Sequence, residues 1–170
     1  VEVSIRVGRP DDAPVLARLQ RAVALEAYAD IFPPEAPPPT EAALAAQWIL
    51  DLDPVEPRRR TFVATSGGDA VGVALAGPDR CEPAVGHLSR LYVASAWWGR
   101  GLGSALYEQA MAHLRETGYD TATLWVLERN TRARRWYERL GWEHTGERSP
   151  VYPPAGIDDV GYRIELGALG

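Results

Sequence analysis

The stretch from Leu91 to Leu106, LYVASAWWGRGLGSAL, constrains this chain more than any other. A strand-forming run ending in Leu91, Tyr92 and Val93 leads into Gly99, Gly101 and Gly103 at alternate positions, and a helix-forming run follows at once. Glycine lets a turn take positive φ and lets a ligand approach the backbone closely. Amides at a helix N-terminus, helped by the helix dipole, attract anions, and successive amides of such a turn can form a nest for phosphate oxygens. Arg100 adds a charged donor. Two familiar phosphate motifs are excluded. A P-loop needs a lysine, and all 18 basic residues here are arginine. The dinucleotide fingerprint needs Gly or Ala at its sixth position, which is Ser104 counted from Gly99. Two readings remain: an anion cradle built by Gly99 to Ser104, or a glycine-rich turn without a ligand.

Hydrophobic periodicity fixes the elements around this turn. Glu2–Gly8 alternates and reads as a strand. Asp11 and Asp12 are N-cap candidates for a helix carrying Leu16, Leu19, Val23 and Ala27, which ends near Asp30. The proline-rich Pro33–Pro39 is a stiff connector. Thr40 and Glu41 open a second helix, closed by Asp53–Pro57. Arg60–Thr65 and Val71–Ala76 flank a Ser-Gly-Gly-Asp turn as a hairpin, and Val85–Val93 is a fourth strand. Gly101–Thr117 is a helix with Leu106, Ala110 and Leu114 along one face. Thr121–Leu127 is a fifth strand. Thr131–Leu140 is a short helix with Ala133, Trp136, Tyr137 and Leu140 at inward spacing. Trp142–Gly146 and Val160–Leu166 are the last strands, joined by a long loop over Ser149–Asp159.

Composition narrows the function. A chain of 170 residues is one domain by length. Eighteen basic against 23 acidic residues give a formal charge of −5, which argues against a nucleic-acid binder. No apolar run is long enough for a membrane span, and the first ten residues lack an apolar signal-peptide core. The expectation is a cytoplasmic protein with neither a membrane nor a nucleic-acid partner. One cysteine, Cys81, and three dispersed histidines suggest no disulfide framework and no metal site. The only asparagine is Asn130, seven residues before Tyr137.

Two motifs now carry a resemblance. Trp98-Gly99-Arg100-Gly101-Leu102-Gly103 is similar to the Gln/Arg-x-x-Gly-x-Gly/Ala signature of the GNAT family of acyl-CoA-dependent N-acyltransferases, with Trp98 departing at the Gln/Arg position. Asn130, Ala133, Tyr137-Glu138 and Gly141-Trp142 resemble the family's later motif. The resemblance, with the order of elements, implies a single GNAT-like α/β domain over residues 1–170. Its central sheet would be mixed but mostly antiparallel, with about six or seven strands, flanked by about four helices on both faces. It implies an acetyltransferase that moves an acetyl group from acetyl-CoA to a primary amine by direct attack in a ternary complex. Acetyl-CoA would be a co-substrate, no metal is implied, and a homodimer is possible for such a family. A non-catalytic acyl-CoA-binding domain on the same fold is the alternative, and a nucleotide-binding module a further one.

The resemblance also implies roles. The pantetheine arm would pair with Leu91, Tyr92 and Val93 like an added strand, and the pyrophosphate would sit on the amides from Gly99 to Ser104. The Val93 amide would face the thioester oxygen. Asn130 would bind the pantetheine arm, cap the short helix, or do both. Tyr137 would protonate the departing thiolate; otherwise it is a core tyrosine. Period-two alternation puts His87, Ser89, Leu91 and Val93 on one strand face, so His87 is a candidate base or an ordinary strand histidine. The amine acceptor is unidentified, its specificity expected to lie in Tyr28–Leu52 and Ser149–Asp159.

Overall fold

The computed structural model describes residues 2–53 and 55–167; Pro54, in the segment expected to close the second helix, lies outside them. The chain begins with β1 (Val3–Val7), then α1 (Ala13–Ala27) and α2 (Glu41–Asp51). Strands β2 (Arg60–Ser66), β3 (Asp69–Pro78) and β4 (Gly86–Val93) follow, then α3 (Leu102–Glu116), β5 (Thr121–Leu127) and α4 (Thr131–Arg139). Strands β6 (Glu143–Tyr152) and β7 (Ile157–Glu165) end the described chain. The seven strands form one sheet in the order β1-β2-β3-β4-β5-β7-β6. Every neighbouring pair is antiparallel except β4 and β5, which run parallel. This is the mixed, mostly antiparallel sheet with four helices that the sequence implied.

Each face of the sheet has its own core. Leu106, Ala110 and Leu114 of α3 are fully buried against Ala74, Leu88, Leu124 and Val160. On the opposite face Leu16 and Ala17 of α1 and Trp48 of α2 pack on Val63, Val73 and Leu75. The sequence periodicity of these helices is therefore a packing pattern. Thr40 opens α2 as expected and caps it, its Oγ1 accepting from the Ala43 amide at 3.1 Å. Asp12 sits at the N-cap of α1 without capping it. Its carboxylate instead accepts from Arg6 at 2.8 Å and from the Arg9 amide at 2.7 Å, tying β1 to the helix start.

At Gly72 in β3 the α3 layer comes close to the strand backbone. A Cβ there would lie 2.7 Å from Leu106 Cδ1 and 3.3 Å from the Tyr92 carbonyl oxygen. Overpacking of this kind typically costs about 1–3 kcal/mol. Gly72→Val is expected to lose about 2 kcal/mol of stability in urea unfolding; an unchanged midpoint would show that helix and strand separate freely.

Three expectations need correction. The first helix ends at Ala27, not near Asp30, with Tyr28 leaving helical geometry at φ −109° and ψ 8°. Leu140 is not on the inward stripe of α4; it is the C-cap and is 38% exposed. Ser149–Asp159 is not a long loop. Ser149 pairs with Asp159, Pro150 with Asp158 and Tyr152 with Ile157, leaving only a tight turn at Pro153–Ala155. Pro150 has no N–H to give a ladder, but β6 is the sheet edge, where that loss is tolerated.

Candidate active site

The site begins where β4 and β5 part. They pair only at Gly86–Ala122 and His87–Thr123. Beyond that fork no strand among the described residues lies beside the β5-facing edge of β4. The Ala94 amide donates to the Val71 carbonyl of β3 at 2.9 Å. Because backbone groups alternate along a strand, the N–H and C=O of Val93, and those of Leu91, point the other way, into the cleft. An extended ligand can pair with such an edge as an added strand.

The same edge runs directly into the glycine turn. Gly99 and Gly101 hold φ of 72° and 80°, the left-handed region that an L side chain enters only with strain. Gly101 is the N-cap of α3, and the first helical bond is Ala105 to Gly101 at 3.0 Å. The amides of Leu102, Gly103 and Ser104 therefore lack an intrahelical acceptor, and no side chain of Gly101 can supply one. They form an electropositive end beside the open edge.

A cavity of about 590 Å³ joins these parts. Leu91, Tyr92 and Val93 form one wall, and Gly99, Gly101, Leu102, Gly103 and Ser104 form the turn. Asn130 and Tyr137 of the α4 region form the opposite wall. The volume suits a small-molecule or cofactor site. Asn130 is also the N-cap of α4, its Oδ1 accepting from the Ala133 amide at 3.2 Å. That bond uses the oxygen and leaves the amide nitrogen for a ligand.

Tyr137 is 9% exposed, in an aromatic cluster with Trp136 at 5.1 Å and Trp142 at 6.1 Å between ring centroids. Trp142 is itself held by a bond from its Nε1 to the Tyr107 hydroxyl at 2.9 Å. No hydrogen bond to the Tyr137 hydroxyl is found among the described residues, and the residue lines the cavity. Burial, then the nearby Tyr92 and Tyr107, push its phenol well above the ordinary value. Tyr137 is thus both a core residue and a neutral O–H donor at the cleft. The far end of the cavity is formed by Val23, Glu26, Ala27 and Tyr28, at the C-terminal end of α1.

Residues 22–142 match the Acetyltransferase (GNAT) family. The chain belongs to the GNAT family. A probable N-acetyltransferase of Mycobacterium tuberculosis is 27% identical to this GNAT protein, covering 98% of this chain and 95% of its own. The phosphinothricin N-acetyltransferase of Streptomyces viridochromogenes is 30% identical, covering 72% of this chain and 69% of its own. Among solved structures, the PaiA N-acetyltransferase of Thermoplasma acidophilum in complex with coenzyme A superposes with a TM-score of 0.78 at 16% identity, covering 97% and 99% of the two chains. This GNAT protein is an N-acetyltransferase that uses acetyl-CoA as acyl donor. Among the described residues no helix is long and apolar enough to cross a membrane, and no group of three or more His, Cys, Asp or Glu is placed to hold a metal ion.

Two residues expected at the site of this GNAT protein do not line the cavity. The expected alternation along β4 fails at Ser89. Leu75 pairs with Arg90 but Ala76 with Leu88, so Ser89 is the extra residue of a β-bulge. Leu88, Leu91 and Val93 face the α3 core, whereas Tyr92 packs on the α1–α2 side and Arg90 stacks 4.3 Å from the Trp48 ring. His87 is thereby turned away from the face of Leu91 and Val93, and it does not line the cavity. Its Nδ1 lies 2.7 Å from Thr123 Oγ1, which donates to Asp79 at 2.5 Å. The single Thr123 proton goes to the carboxylate, so the imidazole must be the donor to threonine. Burial holds this imidazole below its ordinary value, against the pull of Asp79. Arg100, between Gly99 and Gly101, has its guanidinium 5.2 Å from the ring of the cavity-lining Trp97 but does not itself line the cavity.

Sequence reasoning missed Val23, Glu26 and Ala27, which carry no signal beyond helical spacing. It marked Trp98 only as a departure from the family pattern. The structure gives that side chain a place. Trp98 Nε1 donates to the Val93 carbonyl at 2.8 Å, and the Arg132 guanidinium lies 4.6 Å from its ring.

Proposed function

We propose that acetyl-CoA lies in the cavity with its pantetheine arm along the open edge of β4 and its pyrophosphate on the amides of Leu102, Gly103 and Ser104. The thioester oxygen then meets the Val93 N–H, and the Asn130 amide nitrogen donates to the arm. A primary amine enters past Val23, Glu26, Ala27 and Tyr28 and attacks directly in a ternary complex. One observation carries this reading: an unpaired strand edge, three free helix amides and an unbonded tyrosine hydroxyl share one cavity.

The chemistry balances with these groups. The neutral amine adds to the thioester carbon, and the oxyanion that forms is stabilised by the Val93 amide. The amine's surplus proton leaves to solvent. The C–S bond then breaks, and the departing thiolate takes the proton of the Tyr137 hydroxyl, which is restored from water. The single-domain reading spans the whole chain. His87 is not needed, because it lies on the other face of the strand. Calorimetric titration with acetyl-CoA, CoA and ADP tests the placement. Acetyl-CoA is expected to bind clearly tighter than ADP, and equal affinities would remove the pantetheine edge from the reading. Thiol release with a panel of primary amines then identifies the acceptor class.

The state of Tyr137 sets the pH dependence. A phenol of ordinary pKa, about 10, would lose its proton in alkaline assays and cut the rate. Burial raises this one. The rate with a primary amine should therefore climb as the ammonium deprotonates, with no decline owed to the acid up to about pH 11. His87→Ala should keep that profile's shape. A descending limb near pH 10 in the parent enzyme that vanishes in Tyr137→Phe would contradict the buried-acid assignment.

A further inference from the structure

We propose that Trp98 is a latch on the acyl-CoA channel, holding the rung of β4 that an added pantetheine strand must take. The inference rests on the proposed placement of acetyl-CoA and goes beyond it in assigning a gate to a residue outside the family pattern.

The Val93 carbonyl points into the cleft, on the unpaired side of β4. A ladder partner there would place an N–H donor about 2.9 Å from that oxygen. Trp98 Nε1 already stands 2.8 Å from it. A carbonyl oxygen has two lone pairs and accepts two bonds, so the contest is for position as much as for the oxygen. A bicyclic ring reaching the open edge occupies the zone where the backbone of a neighbouring strand would run, about 4.8 Å from β4. The indole is held from its other side as well. Arg132, at the start of α4, stacks on it at 4.6 Å. Trp98 belongs to the turn after β4, and Arg132 to the opposite wall. Both line the cavity. The pair thus bridges the channel from wall to wall.

Trp98 itself is 37% exposed and carries no core packing on that scale. It belongs to neither core cluster, so displacing it outward breaks no core contact. Binding of the pantetheine arm exchanges the indole N–H for a ligand amide N–H on the Val93 oxygen, with no net change in hydrogen-bond count. The ADP portion of the ligand reaches only the helix amides and does not require that exchange. The latch therefore weakens and slows ligands that must run along β4 and leaves those held by the helix amides alone unaffected.

The test is Trp98→Phe, which keeps an aromatic ring for Arg132 and removes the donor. Acetyl-CoA and CoA should bind about three- to tenfold tighter, the gain expected when a modest competing hydrogen bond is lost, with the increase seen in the association rate by stopped flow. ADP affinity should stay unchanged, and the thermal midpoint of the variant should stay close to the parent's. Unchanged or weaker acetyl-CoA binding overturns the latch, as does an equal gain for ADP, which would mean a general widening of the rim. Failure of the parent enzyme to prefer acetyl-CoA over ADP overturns the placement on β4 and the latch with it. Equal acetyl-CoA affinity in parent and variant, both above ADP, overturns the latch alone.

Discussion

Tyr137→Phe should lower kcat by about a hundredfold while leaving the acetyl-CoA dissociation constant within about twofold, the lower end of what a positioned general acid contributes. The asymmetry follows from where the side chain sits. Its ring is packed between Trp136 and Trp142, and phenylalanine keeps all of that contact. Among the described residues its hydroxyl has no hydrogen-bond partner, so removing it strands no buried group. Only the proton for the departing sulfur is lost. The effect stays near a hundredfold because an alkyl thiolate, with a conjugate pKa of about 8.5, leaves tolerably well without help. Burial does not by itself oppose the transfer, because the environment that raises the phenol also disfavours a thiolate there, so the departing sulfur shifts in the same direction. Acetyl-CoA titrations and steady-state rates on one preparation decide the matter. A parallel loss of affinity and turnover would make Tyr137 a packing residue, and an unchanged kcat would remove it as the acid.

The parts of the fold that were legible are those where periodicity and punctuation agree. Strand β5 begins and ends where alternation placed it, and the fully buried Leu106, Ala110 and Leu114 were an uninterrupted stripe on α3. The glycine turn was legible because Gly99 and Gly101 need a backbone that only glycine adopts easily. What escaped was long-range pairing. Pro150 reads locally as a strand breaker, and only its place at the sheet edge makes a strand possible. The bulge at Ser89 was invisible for the same reason. A bulge is a property of two strands, and nothing in His87-Leu88-Ser89-Arg90 announces that Ala76 will pair with Leu88. That one inserted residue reversed the face of His87 and took it from the cavity to a polar network with Thr123 and Asp79. The acceptor wall escaped because Val23 and Ala27 satisfy a core pattern as well as a pocket pattern, and the residues that distinguish the two come from other elements.

Gly101→Val should weaken acetyl-CoA and ADP together, by about a hundredfold each, the penalty expected from losing most of a charge-assisted anion site. Gly101 holds φ 80°, and a Cβ there would meet no protein atom within 4 Å. The substitution is therefore not a packing clash. A β-branched residue is a genuine outlier in that region, and holding it there costs about 1–3 kcal/mol. The turn relaxes away from positive φ, and the amides of Leu102, Gly103 and Ser104 lose their common direction. What side chain remains projects into the open space beside them. Because the pyrophosphate is common to both ligands, both affinities fall. Trp98→Phe, by contrast, separates the two. Gly118→Ala supplies the control. It too has positive φ, at 96°, with open space around its Cβ, but it follows α3 at the opposite end from the turn. It should share the strain, lose about 1 kcal/mol of stability, and bind both ligands as the parent does. If Gly101→Val bound acetyl-CoA normally, the helix amides would not be the pyrophosphate site, and the donor would have to be held by β4 alone.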